Sequence, residues 1–186
     1  MPPWNNWYHC TLHTYGTWLR GDPRGWRSRN HREHVEGDYK NRPAKGTYDK
    51  QFQRSKDLMK RDPVTIDDDP VVRFVLKRLF ERLQEFSIPV AIGAFDGVHA
   101  HILAQCPKRN PKIVIGIAKQ YATAQLKSQG KALGFPELDL KPGEGIWATG
   151  SHPKPIGDEF HFDRAFDYIH DHHKRGASVI IPTNPT

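Results

Sequence analysis

The sequence predicts an α+β chain in which a strand, a helix, two strands, a helix and a strand follow one another, with one further helix near the end. Three observations carry this reading. Apolar residues recur at helical spacing over 70–86, two apolar runs flank the turn dipeptide Asp96-Gly97, and a late amphipathic run is closed by Gly176.

Residues 7–19 are rich in aromatic and β-branched types with partial alternation, and read as the first strand. From about 20 to 69 the apolar periodicity fades, and Gly, Pro, Asn, Arg and His dominate. So long a stretch without periodicity is uncommon inside a compact domain. It reads either as an inserted segment that contacts a ligand or as a mobile solvated loop. Asp69 is expected to cap the next helix and Pro70 to occupy its first turn. Val72, Val75, Leu79, Leu83 and Phe86 form the apolar stripe of that helix, widened by Val71, Phe74, Leu76 and Phe80. Residues 88–95 and 98–105 read as two strands of a hairpin, and 111–129 as a helix stopped near Gly130. A last strand is expected over 145–150 and a last helix over 158–175. This β-α-β-β-α-β order fits a ferredoxin-like sheet with helices on one face, plus a C-terminal helix. A single domain over 1–181 and a disordered tail over 182–186 complete the expectation.

With 28 Lys and Arg against 21 Asp and Glu, the net charge is +7, which suits a polyanionic partner. The basic residues cluster. Arg20, Arg24, Arg27 and Arg29 lie in a segment that also holds Trp26, Tyr39, Tyr48 and Phe52, and Lys108, Arg109 and Lys112 follow the second hairpin strand. Both groups are candidate phosphate contacts, and both could equally be solvated loops. The two cysteines, Cys10 and Cys106, show no zinc spacing and are too few for a disulfide framework, which suits a reducing compartment. No stretch reaches the ~20 apolar residues of a membrane span, and the start lacks a signal-peptide pattern. A cytoplasmic protein without a membrane partner is expected.

In Val98-His99-Ala100-His101-Ile102-Leu103, alternation places His99, His101 and Leu103 on one face of a strand. Two imidazoles so placed can share a cation, and they can equally be surface histidines. Tyr168 and His172 are i and i+4 on the last helix, so they are neighbours on one face. A tyrosine beside a metal ligand suggests a phenolate nucleophile, because a phenol of pKa about 10 needs a nearby cation or base to react near neutrality. A packed, hydrogen-bonded ring is the plainer alternative. Tyr121, on the helix after the His-x-His strand, is the alternative nucleophile. His152 and His161 are candidates to support the ligands, or surface residues.

Three stretches together carry a family resemblance: Tyr8-His9-Cys10-Thr11, Gly97-Val98-His99-Ala100-His101-Ile102-Leu103 and Phe166-Asp167-Tyr168-Ile169-His170-Asp171-His172, the last preceded by Ile146-Trp147-Ala148-Thr149-Gly150. In this order the chain resembles the single-tyrosine HUH transposases of bacterial insertion sequences and the REP-associated tyrosine transposases. The resemblance covers about 7–19 and 70–178. It implies that His99 and His101 hold Mg²⁺ or Mn²⁺ and that Tyr168 is the catalytic nucleophile. The family usually carries Gln or Asn four residues after that tyrosine to complete the metal site. This chain departs from that pattern with His172, which is chemically able to serve as the third metal ligand. The implied activity is nicking and strand transfer of single-stranded DNA bearing a hairpin, through a 5′-phosphotyrosine, with a homodimer as a possible assembly. A catalytically inactive DNA-binding descendant is the alternative. A metal-dependent hydrolase unrelated to DNA would keep the histidines without needing Tyr168.

Overall fold

The computed structural model describes residues 3–23, 46–136, 138 and 140–183. Their architecture is α+β. An antiparallel sheet contains β1 (Trp7–His13), β2 (Val90–Phe95), β3 (His99–Gln105), β4 (His152–Pro155) and β5 (Ser178–Ile180). The helices are α1 (Asp49–Asp57), α2 (Asp69–Glu85), α3 (Pro111–Gln129) and α4 (Glu159–His170). The strand order is β4-β1-β3-β2-β5. Contacts divide the chain into two compact units, one of Met1–Thr14 with Thr65–Thr186 and the other of Tyr15–Val64. Among the described residues no helix is long and apolar enough to cross a membrane.

The smaller unit contains α1, whose polar sequence gave no apolar period to read. Its Ser55 hydroxyl donates to the Arg20 carbonyl at 2.9 Å, and the Lys56 ammonium lies 4.3 Å from the centre of the Phe52 ring. Arg24, Arg27 and Arg29, with Trp26 and Tyr39, fall outside the described residues.

In the larger unit, α2 buries Val71, Val72, Val75, Leu76, Leu79, Phe80 and Leu83 along the expected stripe. Its cap is Asp68 rather than Asp69. The Asp68 carboxylate accepts the Val71 N–H at 3.2 Å, while Asp69 accepts the Ser178 hydroxyl at 2.5 Å and so ties β5 to the start of the helix. In α3, Asn110 is the cap and Pro111 the first helical residue.

The sheet separates two layers. Gly93 faces α2, since a Cβ there would lie 2.6 Å from the Phe80 ring. Its neighbours Ile92 and Ala94 point the other way and join Leu103, Ile156, Ala165, Ile169 and Ala177 in a core under α4. The α4 layer therefore lies on the face that carries His99 and His101.

The β2–β3 turn relies on Gly97. Its φ is +86°, and a Cβ there would approach the Ile66 carbonyl oxygen to 1.9 Å. Positive φ and overpacking each cost about 1–3 kcal/mol. We expect Gly97→Ala to destabilise the chain by roughly 2–5 kcal/mol, read as a lower urea midpoint. An unchanged midpoint would mean that the turn reshapes freely.

The strand expected over 145–150 forms elsewhere. Trp147 makes only an isolated bridge with Thr14 and packs its ring 5.1 Å from Phe95. The buried Lys119 ammonium takes the carbonyls of Ala148 (2.6 Å) and Gly150, so these acceptors are not available to a neighbouring strand. Burial pulls the Lys119 pKa down to about 8. Pairing with β1 resumes at β4, where Ile156 N–H also donates to the Trp7 carbonyl at 3.0 Å. Alternation then turns His152 and Lys154 N–H toward β1 and leaves Pro153 and Pro155 on the outer edge, the position where proline is tolerated.

The helix expected over 158–175 is α4 followed by a 3-10 turn at Asp171–Arg175, closed by Gly176 at φ +85°. No strand is expected beyond it from the sequence, yet β5 pairs with β2. Of the tail expected over 182–186, residues 184–186 fall outside the described residues.

Candidate metal centre and nucleophile

The β1–β3 register places Thr11 opposite His101 and His13 opposite His99, so these side chains share one face with His9 and Leu103. The Tyr168–His172 segment crosses above that face. His99, His101 and His172 each offer one ring nitrogen, and these atoms all lie within 4.8 Å of one another. The three residues could hold a metal ion.

The hydrogen bonds set which nitrogens are offered. Asp96 accepts the Val98 and His99 N–H groups through Oδ1, at 3.0 and 2.7 Å, and its Oδ2 lies 2.6 Å from His99 Nδ1. The carboxylate therefore holds the proton of His99 on Nδ1 and frees Nε2. Burial acts to raise the Asp96 pKa, but the hydrogen bonds from the His99 side chain, His99 N–H and Val98 N–H outweigh it, and the value falls to about 2. His172 Nδ1 donates to the Tyr168 carbonyl at 2.8 Å. Its Nε2 is buried and has no hydrogen-bond partner among the described residues. A buried polar atom left alone costs about 1–3 kcal/mol, so this atom calls for an occupant.

His101 has two places for its proton. Its Nε2 lies 2.9 Å from His99 Nε2, and its Nδ1 lies 2.9 Å from His9 Nε2 and 3.4 Å from the Thr11 hydroxyl. With the proton on Nδ1 facing His9, His101 Nε2 is left unprotonated beside His99 Nε2, and a ring nitrogen of His172 lies within 4.8 Å of the ligand atoms of both. Two nitrogens bound at right angles to an ion at about 2.1 Å would be about 3 Å apart, close to the 2.9 Å observed. Burial lowers the His101 pKa to about 2, reinforced by His99, His9, His172 and His13, and lowers that of His9 to about 4, reinforced by Lys154, His172 and His161. Both rings are neutral near pH 7, as ligation requires.

Tyr168 packs against this cluster. Its ring centre is 4.7 Å from His172, 5.3 Å from His101 and 5.8 Å from His9. The side chain is 46% exposed, and its hydroxyl takes part in no hydrogen bond among the described residues. Tyr121 belongs to the other layer, where the Arg82 guanidinium of α2 lies 5.5 Å from its ring centre. Lys108, Arg109 and Lys112 follow the far end of β3. From His101 to Gln105 alone is about 14 Å of strand, and the Arg109 guanidinium lies over Phe86 at 4.9 Å. The structure does not bring this basic group to the histidines. Arg20 belongs to the smaller unit.

His9, His13 and Asp96 were not singled out from the sequence. His13 stacks on His99, with ring centres 5.9 Å apart and planes 12° from parallel. The signal for His9 and His13 was their alternation within Tyr8-His9-Cys10-Thr11-Leu12-His13, but only the pairing register shows that they face β3. Asp96 was read as a turn residue, and its spacing of three from His99 was the available clue. A second group, His170, Asp171 and His173, is exposed, and its Asp171 pairs with Lys174 at 2.7 Å.

Ligand-supporting groups of this kind affect metal affinity by roughly 10–100-fold. Asp96→Ala is therefore expected to weaken metal binding by about that factor, measured by calorimetry. Unchanged affinity would remove the carboxylate from the site.

No family model, curated protein or solved structure matches the chain.

Proposed function

We propose that the chain is a metal-dependent, single-tyrosine endonuclease and strand transferase of the HUH type, acting on single-stranded DNA that bears a hairpin. One observation carries this reading most directly. A buried His172 nitrogen, unpartnered among the described residues, converges with the ligand atoms of His99 and His101 beside the ring of the half-exposed Tyr168. The order β4-β1-β3-β2, with α2 on the opposite face from α4, supports a ferredoxin-like core carrying the tyrosine helix.

His99, His101 and His172 would hold a divalent cation, while Asp96 and His9 fix the tautomers of His99 and His101. When bound, the cation supplies Lewis-acid polarisation of a phosphate oxygen. The family resemblance implies Mg²⁺ or Mn²⁺. Three imidazoles suit Mn²⁺ or a later ion of the series better than Mg²⁺, which prefers oxygen ligands.

Tyr168 gives up its phenol proton to solvent and attacks phosphorus. The new bond joins its oxygen to phosphorus as the P–O3′ bond breaks. The chain then carries the 5′-phosphate, and the departing 3′ oxygen takes a proton. Attack by a 3′-hydroxyl reverses the step, so joining needs no external energy source.

The test is incubation with end-labelled hairpin DNA and Mn²⁺, followed by denaturing electrophoresis. A covalent protein–DNA band is expected. Tight binding without any adduct across a set of hairpins would instead identify a binding protein.

A further inference from the structure

We propose that Lys154, His161 and Arg164 form a phosphate-binding flank beside Tyr168, seating the nucleotides next to the cleaved bond while Phe160 stacks on a base. This rests on the single-stranded DNA reading above.

Lys154 is the β4 partner of His9, so its side chain leaves the sheet on the face that carries the histidine cluster. The Lys154 ammonium lies close enough to His9 for its charge to act on that ring, and His161 lies near the same ring. His161 Nδ1 accepts the Gly157 N–H at 3.1 Å, which places the ring proton on Nε2, as a free donor on an exposed side chain. Phe160, Arg164 and Tyr168 are spaced i, i+4 and i+8, so they form one line along α4. The line spans about 12 Å, enough for a few stacked nucleotides at about 3.4 Å each.

These groups are not committed elsewhere. Neither Lys154 nor Arg164 forms an ion pair among the described residues. The Arg164 guanidinium lies 5.7 Å from the centre of the Phe160 ring, and that ring is 70% exposed. The nearby Asp158 carboxylate accepts the His161 N–H as a helix cap, and Asp171 is held by Lys174. Cations interleaved with an exposed aromatic ring are the elements of a single-strand platform, where charge follows the backbone and the ring accepts any base. A duplex would bury its base faces and could not use Phe160.

The test measures fluorescence polarisation of a labelled single strand across a salt series, in chelator so that no cleavage occurs. Lys154→Ala/Arg164→Ala is expected to weaken binding about tenfold and to flatten the slope of log affinity against log salt by about 1.4, at about 0.7 per lost contact. Phe160→Ala should weaken binding about 5- to 150-fold with little change in slope. Arg73→Ala/Lys77→Ala removes the same charge from exposed positions on α2 and should leave the slope unchanged. Circular dichroism and Co²⁺ uptake confirm that each variant is folded.

Wild-type binding that both flank variants retain, with the same slope, overturns this proposal and leaves the functional reading standing. An equal loss in the α2 control overturns it as well, since net charge alone would then explain the effect. If the wild-type chain binds no single strand, both readings fall together.

Discussion

Returning Mn²⁺ or Zn²⁺ to the chelated chain is expected to raise its melting temperature, and His172→Leu is expected to abolish that rise. The reason is the buried His172 Nε2, which has no partner among the described residues. A cation that binds only the folded chain stabilises it by about 2.7 kcal/mol at a hundredfold excess over Kd. For a chain of 186 residues, each kcal/mol moves the melting temperature by about 2–4 °C, so a rise of roughly 5–10 °C should be seen. Mg²⁺ should produce a smaller rise at equal concentration, because the donors are imidazoles rather than oxygens. In chelator the variant should melt at or slightly above the wild type, since leucine removes an unpaired buried nitrogen costing about 1–3 kcal/mol but also the bond to the Tyr168 carbonyl, worth about 0.5–1.5 kcal/mol. This change of sign separates a ligand from a packing residue. A variant less stable than wild type in chelator, or equally raised by Mn²⁺, would assign His172 to the core instead.

Tyr168→Phe should remove the covalent DNA adduct, with the nicking rate falling by about 10⁶-fold, the order of loss seen when a serine nucleophile is deleted. Its metal-dependent rise in melting temperature should persist. The substitution deletes one oxygen from a half-exposed side chain whose hydroxyl takes part in no hydrogen bond among the described residues. The ring contacts with His101 and His172 do not require that oxygen. Stability should therefore change by less than about 0.5 kcal/mol. An adduct that survives the substitution would place the nucleophile elsewhere. Tyr121 is then the residue to replace, although it lies in the layer of α2 and α3.

The features readable in the sequence were those fixed by local periodicity. The stripe of α2 and the two strands around Asp96-Gly97 follow from spacing alone, as do the common face of His99 and His101 and the proximity of Tyr168 to His172. The unread features depend on long-range choices. His9 meets His101 across 92 positions of chain, and no local pattern encodes that register. The 145–150 run has good strand formers, but the ammonium of Lys119 from α3 takes two of its carbonyls. β4 itself was concealed by its two prolines, which read as breakers until the strand is known to lie at an edge. α1 lacks an apolar stripe, and β5 is only three residues long.

Those edge prolines carry a further consequence. Antiparallel addition of a strand outside β4 would need N–H donors from positions 153 and 155, and Pro153 and Pro155 have none. The free margin of the sheet at β4 is thus chemically blunted against templated pairing. Two copies of this chain could not merge their sheets there into one continuous ribbon. Any twofold assembly would have to join through side chains or through another margin of the sheet.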